Sequence, residues 1–434
     1  MVRNRWFFIL SIFVLFVFVS LGFADDYTVY SYGDVSKDVT DISFYKPASD
    51  TNTYEIQGLM FNLKKTLGVK NIIYCIGDGM GLSQVALART KAVGLNGKLY
   101  MEKMPVTGIV KTHSANSTVT DSAAAGTALA CGIKTNNGTI GQDPKGQRYQ
   151  SILEAAQENG MKTALVVTCT MSHATPASFA SHVKSRGMEA EISTQLLANQ
   201  PNVMFGGGKK YWLPKSVENS KRKDDRDLIE EAKKQGYLVV NNSEELSKAT
   251  GDYVLGLFQM EALTTFSPEP TLPQMTEAAL RILTEKKKES WFKDKYKLNK
   301  KAFKRNKGFF MMIEGSQIDW ACHANNADNT VKQTLLFDQA VKVAIDFAMK
   351  DKNTLVIVTA DHETGGLVVN GGDIKGEKVN SKWASGGHSA TPVPIYAFGP
   401  AAEKFSGVMD NTEIPKKLAD LMGIKDFPQV KKND

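Results

Sequence analysis

Acidic and histidine side chains recur in this sequence at spacings that suit metal coordination. Asp319 and His323 are four residues apart, so they would share one face of a helix. Asp361 and His362 are adjacent after an apolar run, and both could reach one metal only if a turn begins there. His388 follows Ser-Gly-Gly, a segment that lets the backbone approach a site. Mixed His and Asp ligands suit Zn²⁺, and two such sites about 3.5–4 Å apart would support in-line phosphoryl displacement.

Ser122 follows an acid and begins a run of small residues, Ser-Ala-Ala-Ala-Gly-Thr-Ala at 122–128. Ser, Asp and Thr are good helix N-caps, and alanine is a strong helix former. Ser122 is therefore expected at or near a helix N-terminus, where orphan N–H groups and the helix dipole favour an anion such as phosphate. An ordinary capped helix explains these residues equally well when they are taken alone.

Short apolar runs separated by helical patterns predict a doubly wound α/β fold, with strands buried on both faces. One helical pattern spans 151–159 and stops ahead of Gly160. Three runs end in acids, namely Asp78, Glu314 and Asp361. Ligands bind at the carboxyl ends of strands in such sheets, and carboxylates gathered there repel one another unless a cation holds them together. The apolar runs span residues 71–76, 107–110, 163–167, 309–313 and 355–358.

The first 24 residues differ from the rest of the 434-residue chain. Arg3 and Arg5 precede an almost wholly apolar stretch at 6–21, and Gly-Phe-Ala at 22–24 supplies a small-x-small cleavage site. This pattern predicts a signal peptide over 1–24 and an exported protein, periplasmic or secreted, with an uncleaved membrane anchor as the alternative. No later stretch is long and apolar enough to span a bilayer. Residues 25–434 are expected to form a single domain.

Residues 285–307 form a lysine-dense insert with interspersed aromatic residues. A solvated helical excursion is the simpler interpretation, and binding to an acidic surface or polymer is the alternative. The chain is mildly basic, with 53 Lys and Arg against 46 Asp and Glu. Because no nucleic-acid motif accompanies this charge, we expect no specific nucleic-acid partner.

Several residues that could do chemistry receive a structural interpretation instead. His113 and His182 are expected to be structural histidines. The cysteines lack C-x-x-C spacing and lie among apolar or small residues, so buried free thiols are expected, although export would permit disulfides. The four cysteines are Cys75, Cys131, Cys169 and Cys322.

Seven motifs, each modest alone, occur in order between residues 71 and 400, and their combination resembles the alkaline phosphatase family. They are Asn-Ile-Ile-x-x-Ile-Gly-Asp-Gly-Met-Gly at 71–81, Val-Thr-Asp-Ser-Ala-Ala-Ala-Gly-Thr-Ala at 119–128, Ala-Thr-Pro-Ala at 174–177, Gly-Gly-Gly-Lys-Lys-Tyr at 206–211, Glu-Gly-x-x-Ile-Asp-x-x-x-His at 314–323, Val-Thr-Ala-Asp-His-Glu at 358–363 and Gly-Gly-His at 386–388. The resemblance implies a three-layer α/β sandwich with a large, mostly parallel central sheet, and a homodimer that hydrolyses small phosphate monoesters.

The same resemblance implies roles for individual residues. Ser122 would be the nucleophile that forms a phosphoserine, and Arg186 would clamp the phosphate, since a guanidinium fork suits two phosphate oxygens. Two Zn²⁺ ions and a third cation would lie beside them. The implied ligands are Asp319, His323 and His388 for the first zinc, Asp78, Asp361 and His362 for the second, and Asp78, Thr175 and Glu314 for the third cation.

Two positions depart from many bacterial members of that family. His173 stands where those members have an aspartate near the third site, and imidazole nitrogen favours zinc or cobalt over magnesium. The third site is therefore expected to take Mg²⁺, Co²⁺ or Zn²⁺. Trp320 stands where those members have a lysine that helps to hold phosphate, so weaker phosphate binding and faster product release are expected.

Two other functions are compatible with a metal core of this kind. One is a phosphodiesterase or sulfatase, against which Ser122, Arg186 and Glu314 argue because the third site and the arginine suit a monoester dianion. The other is a metal- or phosphate-binding protein without catalysis, which the presence of every expected ligand and of the nucleophile disfavours.

Overall fold

The computed structural model describes residues 42–47, 68–285 and 307–431. The predicted signal peptide and all of the lysine-rich insert except its two end residues lie outside this range. Among the described residues, no helix is both long and apolar enough to cross a bilayer. The described strands are β1 Asn71–Gly77, β2 Val106–Lys111, β3 Lys162–Thr170, β4 Val203–Gly207, β5 Leu238–Val240, β6 Val254–Leu257, β7 Phe309–Gly315, β8 Thr354–Thr359, β9 Glu363–Thr364, β10 Val368–Gly372, β11 Val379–Lys382, β12 His388–Ser389, β13 Val393–Phe398 and β14 Gly407–Asp410.

Ten of these strands form one sheet, in the order β14-β2-β13-β8-β1-β7-β3-β4-β6-β5. Neighbouring strands are parallel except at β13, which is antiparallel to both β2 and β8. All five apolar runs are strands of this sheet, so the prediction of a large, mostly parallel sheet is confirmed. The centre of the sheet is shielded from solvent, because every residue of β1, β7 and β8 is buried.

The prediction that the run at 107–110 is buried on both faces is wrong. In β2, Thr107 is exposed whereas Gly108 and Val110 are buried. This strand lies next to the edge strand β14 and is antiparallel to β13. An antiparallel pair near the edge of a sheet can leave one face in solvent, and alternating burial is the result.

Helices pack against the sheet in two groups and give the predicted three-layer arrangement. The described helices are α1 Leu82–Val93, α2 Ser122–Cys131, α3 Ile152–Glu158, α4 Ala174–Ala180, α5 Glu189–Asn199, α6 Leu228–Lys234, α7 Ser243–Lys248, α8 Leu272–Thr284, α9 Gln317–His323, α10 Ala327–Asp351 and α11 Glu413–Leu421, with 3₁₀ turns at Met101–Lys103, Lys209–Tyr211 and Ala402–Phe405. In one group α10 contacts β1, β7 and β8 together with α1, α8 and α9. In the other, α3 and α4 contact β7 and α2 packs on α4.

Helix α3 confirms the helical pattern at 151–159 and shows how local sequence sets its ends. The Ser151 hydroxyl accepts from the Glu154 N–H, and the Glu154 side chain accepts from the Ser151 N–H, which forms a capping box. Gly160 follows the helix with φ of 81°, a conformation that glycine adopts without a steric penalty.

Candidate active site

Three acids lie at the carboxyl ends of three adjacent parallel strands. Ile76 of β1 is opposite Glu314 of β7 on one side and Thr359 of β8 on the other. Asp78 directly follows β1, and Asp361 follows β8 after one intervening residue. The side chains of Asp78, Glu314 and Asp361 are all fully buried. The sheet register therefore brings the three carboxylates to one edge, where parallel α/β sheets bind ligands.

Asp319, His323 and His388 converge on one point. Asp319 and His323 lie on α9, and the His323 Nε2 atom is 3.2 Å from Asp319 Oδ2 and 3.1 Å from His388 Nε2. The other ring nitrogens meet backbone carbonyls, His323 Nδ1 that of Gly386 at 2.6 Å and His388 Nδ1 that of Thr120 at 2.8 Å. Because a carbonyl oxygen only accepts, Nδ1 carries the proton in the neutral, metal-binding form of either ring, and Nε2 then has a lone pair for a metal.

Asp78, Asp361 and His362 form a second group at the sheet edge. His362 Nε2 lies 3.2 Å from Asp361 Oδ2 and 3.5 Å from Asp78 Oδ1. Strand β8 ends at Thr359, so the chain turns before Asp361 and both adjacent side chains reach the same space. Ligand atoms of Asp319, His362 and His388 also lie within 4.8 Å of one another, which joins this group to the first.

Ser122 is the first residue of α2, as its surrounding sequence predicts. Asp121 is the N-cap, and its Oδ1 accepts from the Ala124 N–H at 2.9 Å. The Ser122 hydroxyl is buried, with its Oγ 3.2 Å from His362 Nε2. The helix thus places a hydroxyl beside the second group, which could hold a metal, with the helix N-terminus directed at the same space.

Arg186 reaches the same space from the loop after α4. Its Nη1 lies 3.2 Å from Asp121 Oδ2, and its Nη2 lies 3.2 Å from His173 Nε2. The Arg186 N–H also donates to the Gly138 carbonyl at 2.8 Å, and the Gly138 N–H donates to Asp121 Oδ2 at 2.9 Å. Asp121 therefore fixes both the start of α2 and the position of the guanidinium.

A third group consists of Cys169, His173 and Glu314, with ligand atoms within 4.8 Å of one another. Thr175 is fully buried in α4, two residues after His173. Trp320 is only 9% exposed, and its ring meets that of His173 edge to face at a centroid distance of 5.8 Å. Trp320 thus lies beside the third group.

Two residues in these groups were missed by the sequence analysis. Cys169 was assigned only as a buried thiol, although it lies four residues before His173 and two residues after the predicted strand at 163–167. Thr364 was not considered, yet its hydroxyl donates to Asp319 and lies 3.2 Å from His362 Nδ1. Its place directly after Asp361-His362-Glu363 is the one signal in the sequence for that role.

The side-chain atoms gathered at the sheet edge have the composition and the unpaired state that a bound metal would require. Several fully buried oxygens at the sheet edge have no hydrogen-bond partner, whereas buried polar atoms are nearly always paired. Together with the imidazole nitrogens, these carboxylate and hydroxyl oxygens fit divalent cations. The unpaired oxygens are both carboxylate oxygens of Asp78, Asp361 Oδ2, Glu314 Oε1 and Thr175 Oγ1.

Burial and mutual repulsion make the carboxylates weak acids in the metal-free protein. Burial, followed by the charges of Asp361, Asp319 and Glu314, raises the pKa of Asp78 well above 3.8. Burial and the charge of Asp319 raise the pKa of Asp361 to about 8, and burial raises that of Glu314 to about 7. Bound cations would keep these groups ionised.

The pKa values of Asp319 and of the histidines His173 and His362 are lowered, in contrast to those of the three strand-end acids. Burial alone would raise the pKa of Asp319, but the hydrogen bond from His323 holds it well below 3.8. Burial lowers the pKa of His362 well below 6.5 and that of His173 to about 3. These rings are therefore neutral, which is the state that binds metals.

Comparisons with known proteins agree with this geometry. A family model described as "Alkaline phosphatase" matches residues 69–382 and 375–424. "Alkaline phosphatase 4" of Bacillus subtilis is 33% identical, over 80% of this chain and 87% of that protein. The Escherichia coli alkaline phosphatase is 31% identical, over 82% of this chain and 86% of that protein.

Solved structures give the same result. An alkaline phosphatase from the Antarctic bacterium TAB5 is 34% identical, with a TM-score of 0.69 over 83% of this chain and 99% of that one. Variants of the TAB5 enzyme with a histidine replaced by Asp or by Glu have Mg bound in the M3 site. On its sequence motifs, sheet topology and site geometry together, this chain belongs to the alkaline phosphatase family.

Proposed function

We propose that this metal-dependent phosphomonoesterase acts through a phosphoserine formed on Ser122, beside two zinc ions and a third cation. The observation that carries the proposal is the position of the Ser122 hydroxyl, whose Oγ lies 3.2 Å from His362 Nε2 at the joined metal-ligating groups. A hydroxyl at a helix N-terminus, next to unpaired buried carboxylates, suits attack on a phosphate dianion that cations hold in place.

The proposed ligand side chains would coordinate three cations. When bound, these cations supply positive charge to the phosphate and lower the pKa of the attacking hydroxyl and water. Asp319, His323 and His388 would hold the first Zn²⁺, Asp78, Asp361 and His362 the second, and Asp78, Thr175, Glu314 and His173 a third ion, which is Mg²⁺, Co²⁺ or Zn²⁺.

The chain's own residues bind and orient the phosphate group and supply the oxygen that attacks it. Arg186 donates two of its N–H groups to two phosphate oxygens, which turns it from His173 towards the substrate. The Ser122 oxygen, having lost its proton to solvent, forms a bond to phosphorus as the ester P–O bond breaks and the alcohol leaves with a proton from water. Water then displaces Ser122 and releases inorganic phosphate. No histidine base is required, and the neutral His362 is suited to the role of a ligand rather than that of an acid.

Trp320 adjoins this site without supplying a charge. It stands where many bacterial members have a phosphate-holding lysine, so Arg186 alone supplies the side-chain cation for the phosphate in this proposal. We therefore infer weaker phosphate binding and faster release than in an enzyme with that lysine.

The nature of the third metal follows from its donors. His173 places imidazole nitrogen in the group with Glu314, and nitrogen favours zinc or cobalt over magnesium. In the TAB5 enzyme, variants with a carboxylate in place of a histidine have Mg bound in the M3 site. Magnesium beside a carboxylate agrees with its preference for oxygen ligands, and an imidazole at His173 would therefore favour cobalt or zinc in this protein.

The family resemblance supports further parts of the proposal. We infer export to the periplasm or the medium by a signal peptide at 1–24, a single domain over 25–434 with the insert at 285–307, and a homodimer. The substrates are small phosphate monoesters, and no specific nucleic-acid partner is expected.

The test is hydrolysis of p-nitrophenyl phosphate by the chelator-stripped protein, rebuilt with zinc plus magnesium or zinc plus cobalt. We expect activity only when zinc is present. The protein rebuilt with zinc plus cobalt should be more active than the protein rebuilt with zinc plus magnesium. Ser122→Ala should lose about 10³-fold or more in kcat and should trap no acid-stable phosphate, whereas Thr118→Ala, which alters an exposed hydroxyl of the same segment, should behave as wild type.

Three outcomes would contradict the proposal. Unchanged turnover in Ser122→Ala would exclude the phosphoserine. Best activity with magnesium would place His173 outside the coordination sphere. Faster cleavage of bis(p-nitrophenyl) phosphate or p-nitrophenyl sulfate than of the monoester would favour the diesterase or sulfatase interpretation.

A further inference from the structure

Cys169 is fully buried at the third group, although no motif assigns it a role. Strand β3 runs parallel to β7 with Val167 opposite Glu314, and Cys169 is two residues further along β3. Its Sγ lies 3.4 Å from Glu314 Oε2. Two ligands of a tetrahedral zinc, one oxygen at ~2.0 Å and one sulfur at ~2.3 Å, are roughly 3.5 Å apart. The observed separation therefore suits two ligands of one metal.

Other buried polar atoms in the same group as Cys169, or next to it, have no hydrogen-bond partner. Glu314 Oε1 and Thr175 Oγ1 are buried without a hydrogen bond, as is His173 Nδ1. Both Glu314 and Thr175 are fully buried, so solvent does not satisfy them. A single cation could be coordinated by all of these atoms. The S–H group of Cys169, in contrast, can donate a hydrogen bond only to Glu314 Oε2.

The other cysteines have ordinary surroundings. All four thiols are buried and free, as the sequence predicted. Cys131 Sγ donates to the Ser178 carbonyl at 3.9 Å, and Cys322 Sγ lies 3.6 Å from the Thr330 hydroxyl. Within the described residues, Cys169 is the one cysteine that belongs to a group able to hold a metal.

We propose that Cys169 is a thiolate ligand of the third cation, which makes this site selective for a soft divalent metal such as zinc, cobalt or cadmium. Coordination exchanges the thiol proton for the metal ion, and the proton leaves to solvent without any change of oxidation state. Thiolate sulfur and imidazole nitrogen select zinc-like metals, whereas magnesium prefers oxygen ligands. The inference rests on the third cation site of the proposed function and adds a sulfur donor to it.

The test is a cobalt titration of the chelator-stripped, full-length protein, followed by absorption spectroscopy and metal analysis. All the other proposed ligands are nitrogen or oxygen atoms, so a sulfur-to-cobalt charge-transfer band in the near ultraviolet would report Cys169 alone. We expect this band in wild type and in Cys131→Ser, which alters a buried thiol outside the site. Cys169→Ser should lose the band, and its third-site preference should shift at least about tenfold from cobalt towards magnesium.

The outcomes separate this inference from the proposed function. Three bound cobalt ions without the band in wild type would overturn the thiolate ligand but leave the phosphatase mechanism intact. An unchanged band in Cys169→Ser or Cys169→Ala would also overturn it. Fewer than three cobalt ions at saturation, again without the band, would remove the third site itself. The wild-type titration decides the question even if both Cys169 variants fail to fold.

Discussion

Among the described residues, the buried carboxylates of Glu154 and Asp78 differ in how far the protein itself satisfies them. The Glu154 carboxylate accepts from the Ser151 N–H at 2.9 Å, lies 3.1 Å from His182 Nε2 and accepts from Lys431 Nζ at 2.7 Å. Neither carboxylate oxygen of Asp78 has a hydrogen-bond partner. The protein therefore balances the Glu154 charge internally and leaves the Asp78 charge to be balanced by a ligand.

The pKa directions express the same difference. Burial alone would raise the pKa of Glu154, but its contacts with His182 and Lys431 hold it below 4.5. Burial and neighbouring acids raise the pKa of Asp361 to about 8. The Glu154 cluster, which includes His182 as the predicted structural histidine, stabilises the fold. The strand-end acids cost stability in the absence of metal, and we attribute that cost to function.

The largest change in activity should come from neutralising a carboxylate of the strand-end cluster, as in Asp78→Asn. Loss of partners that only support metal ligands costs about 10–100-fold in affinity or activity, so we expect Asp78→Asn to lose more than about 100-fold in kcat/KM, together with bound zinc. The metal-free Asp78→Asn protein should be at least as stable as wild type, because a repelling charge is removed.

Glu154→Gln is the matched control and should give the opposite result. It should keep its zinc and its kcat, but lose about 1–3 kcal/mol of unfolding free energy because buried donors are left unpaired. Metal analysis, p-nitrophenyl phosphate kinetics and urea unfolding measure these quantities. If Asp78→Asn retained full zinc, or Glu154→Gln lost it, the distinction between the clusters would be wrong.

The pH dependence of stability should also separate the clusters. In the metal-free protein the pKa values of Asp361 and Glu314 are raised to about 8 and about 7, so the folded state holds more protons than the unfolded chain. Their contribution to stability is complete below their unfolded values and is lost as the pH rises through the folded ones. The lowered pKa of Glu154 acts in reverse, since its contribution is lost only as the pH falls below 4.5.

Below about pH 6.5 the buried histidines are protonated only in the unfolded chain and act in the opposite direction. We therefore expect the metal-free protein to lose stability between about pH 6.5 and pH 8, and the zinc-loaded protein to lose much less. Asp361→Asn should flatten this slope, and Glu154→Gln should not change it within that window. Urea unfolding of each variant at the two pH values provides the measurement. Equal stability of the metal-free wild type at both pH values would show that the strand-end acids are ionised without metal.

The sequence predicted the centre of the fold better than its margins. Strands β1, β7 and β8 each contain a continuous apolar run, and full burial on both faces favours that composition. The run at 107–110 contains Thr107 and Gly108, and its one-sided exposure depends on pairing with β13 and β14, almost 300 residues later in the chain. Such long-range pairing leaves no local pattern.

The same limit applies to the site. The four-residue spacing of Asp319 and His323 predicted a shared helical face, because that relation is local. The approach of Cys169 to Glu314 depends on the register of β3 against β7, over a sequence separation of 145 residues. Sequence spacing alone therefore could not identify Cys169 as part of the third group.

Arg186 offers a smaller test of how the unsatisfied cluster binds its ligand. Arg186→Lys keeps the charge but loses the planar pair of donors, so inorganic phosphate should inhibit about 10–100-fold more weakly. Lys184→Met removes an exposed positive charge two residues away and should change the inhibition constant little. Equal weakening in both variants would mean that general charge, rather than the guanidinium fork, holds the phosphate.

The smallest effect should come from Trp320→Lys, which asks whether the protein can supply some of the positive charge that the strand-end cluster lacks. An ammonium beside His173 would attract phosphate, but a flexible side chain near solvent gains only a modest free energy, so we expect inhibition by inorganic phosphate to tighten about 3–10-fold. Trp320→Met removes the indole ring without adding a charge and therefore measures the loss of packing alone. Tightening in the lysine variant beyond the methionine variant would show that charge, not shape, sets phosphate release at this position, and equal constants in the two would show that the bound cations already saturate the site.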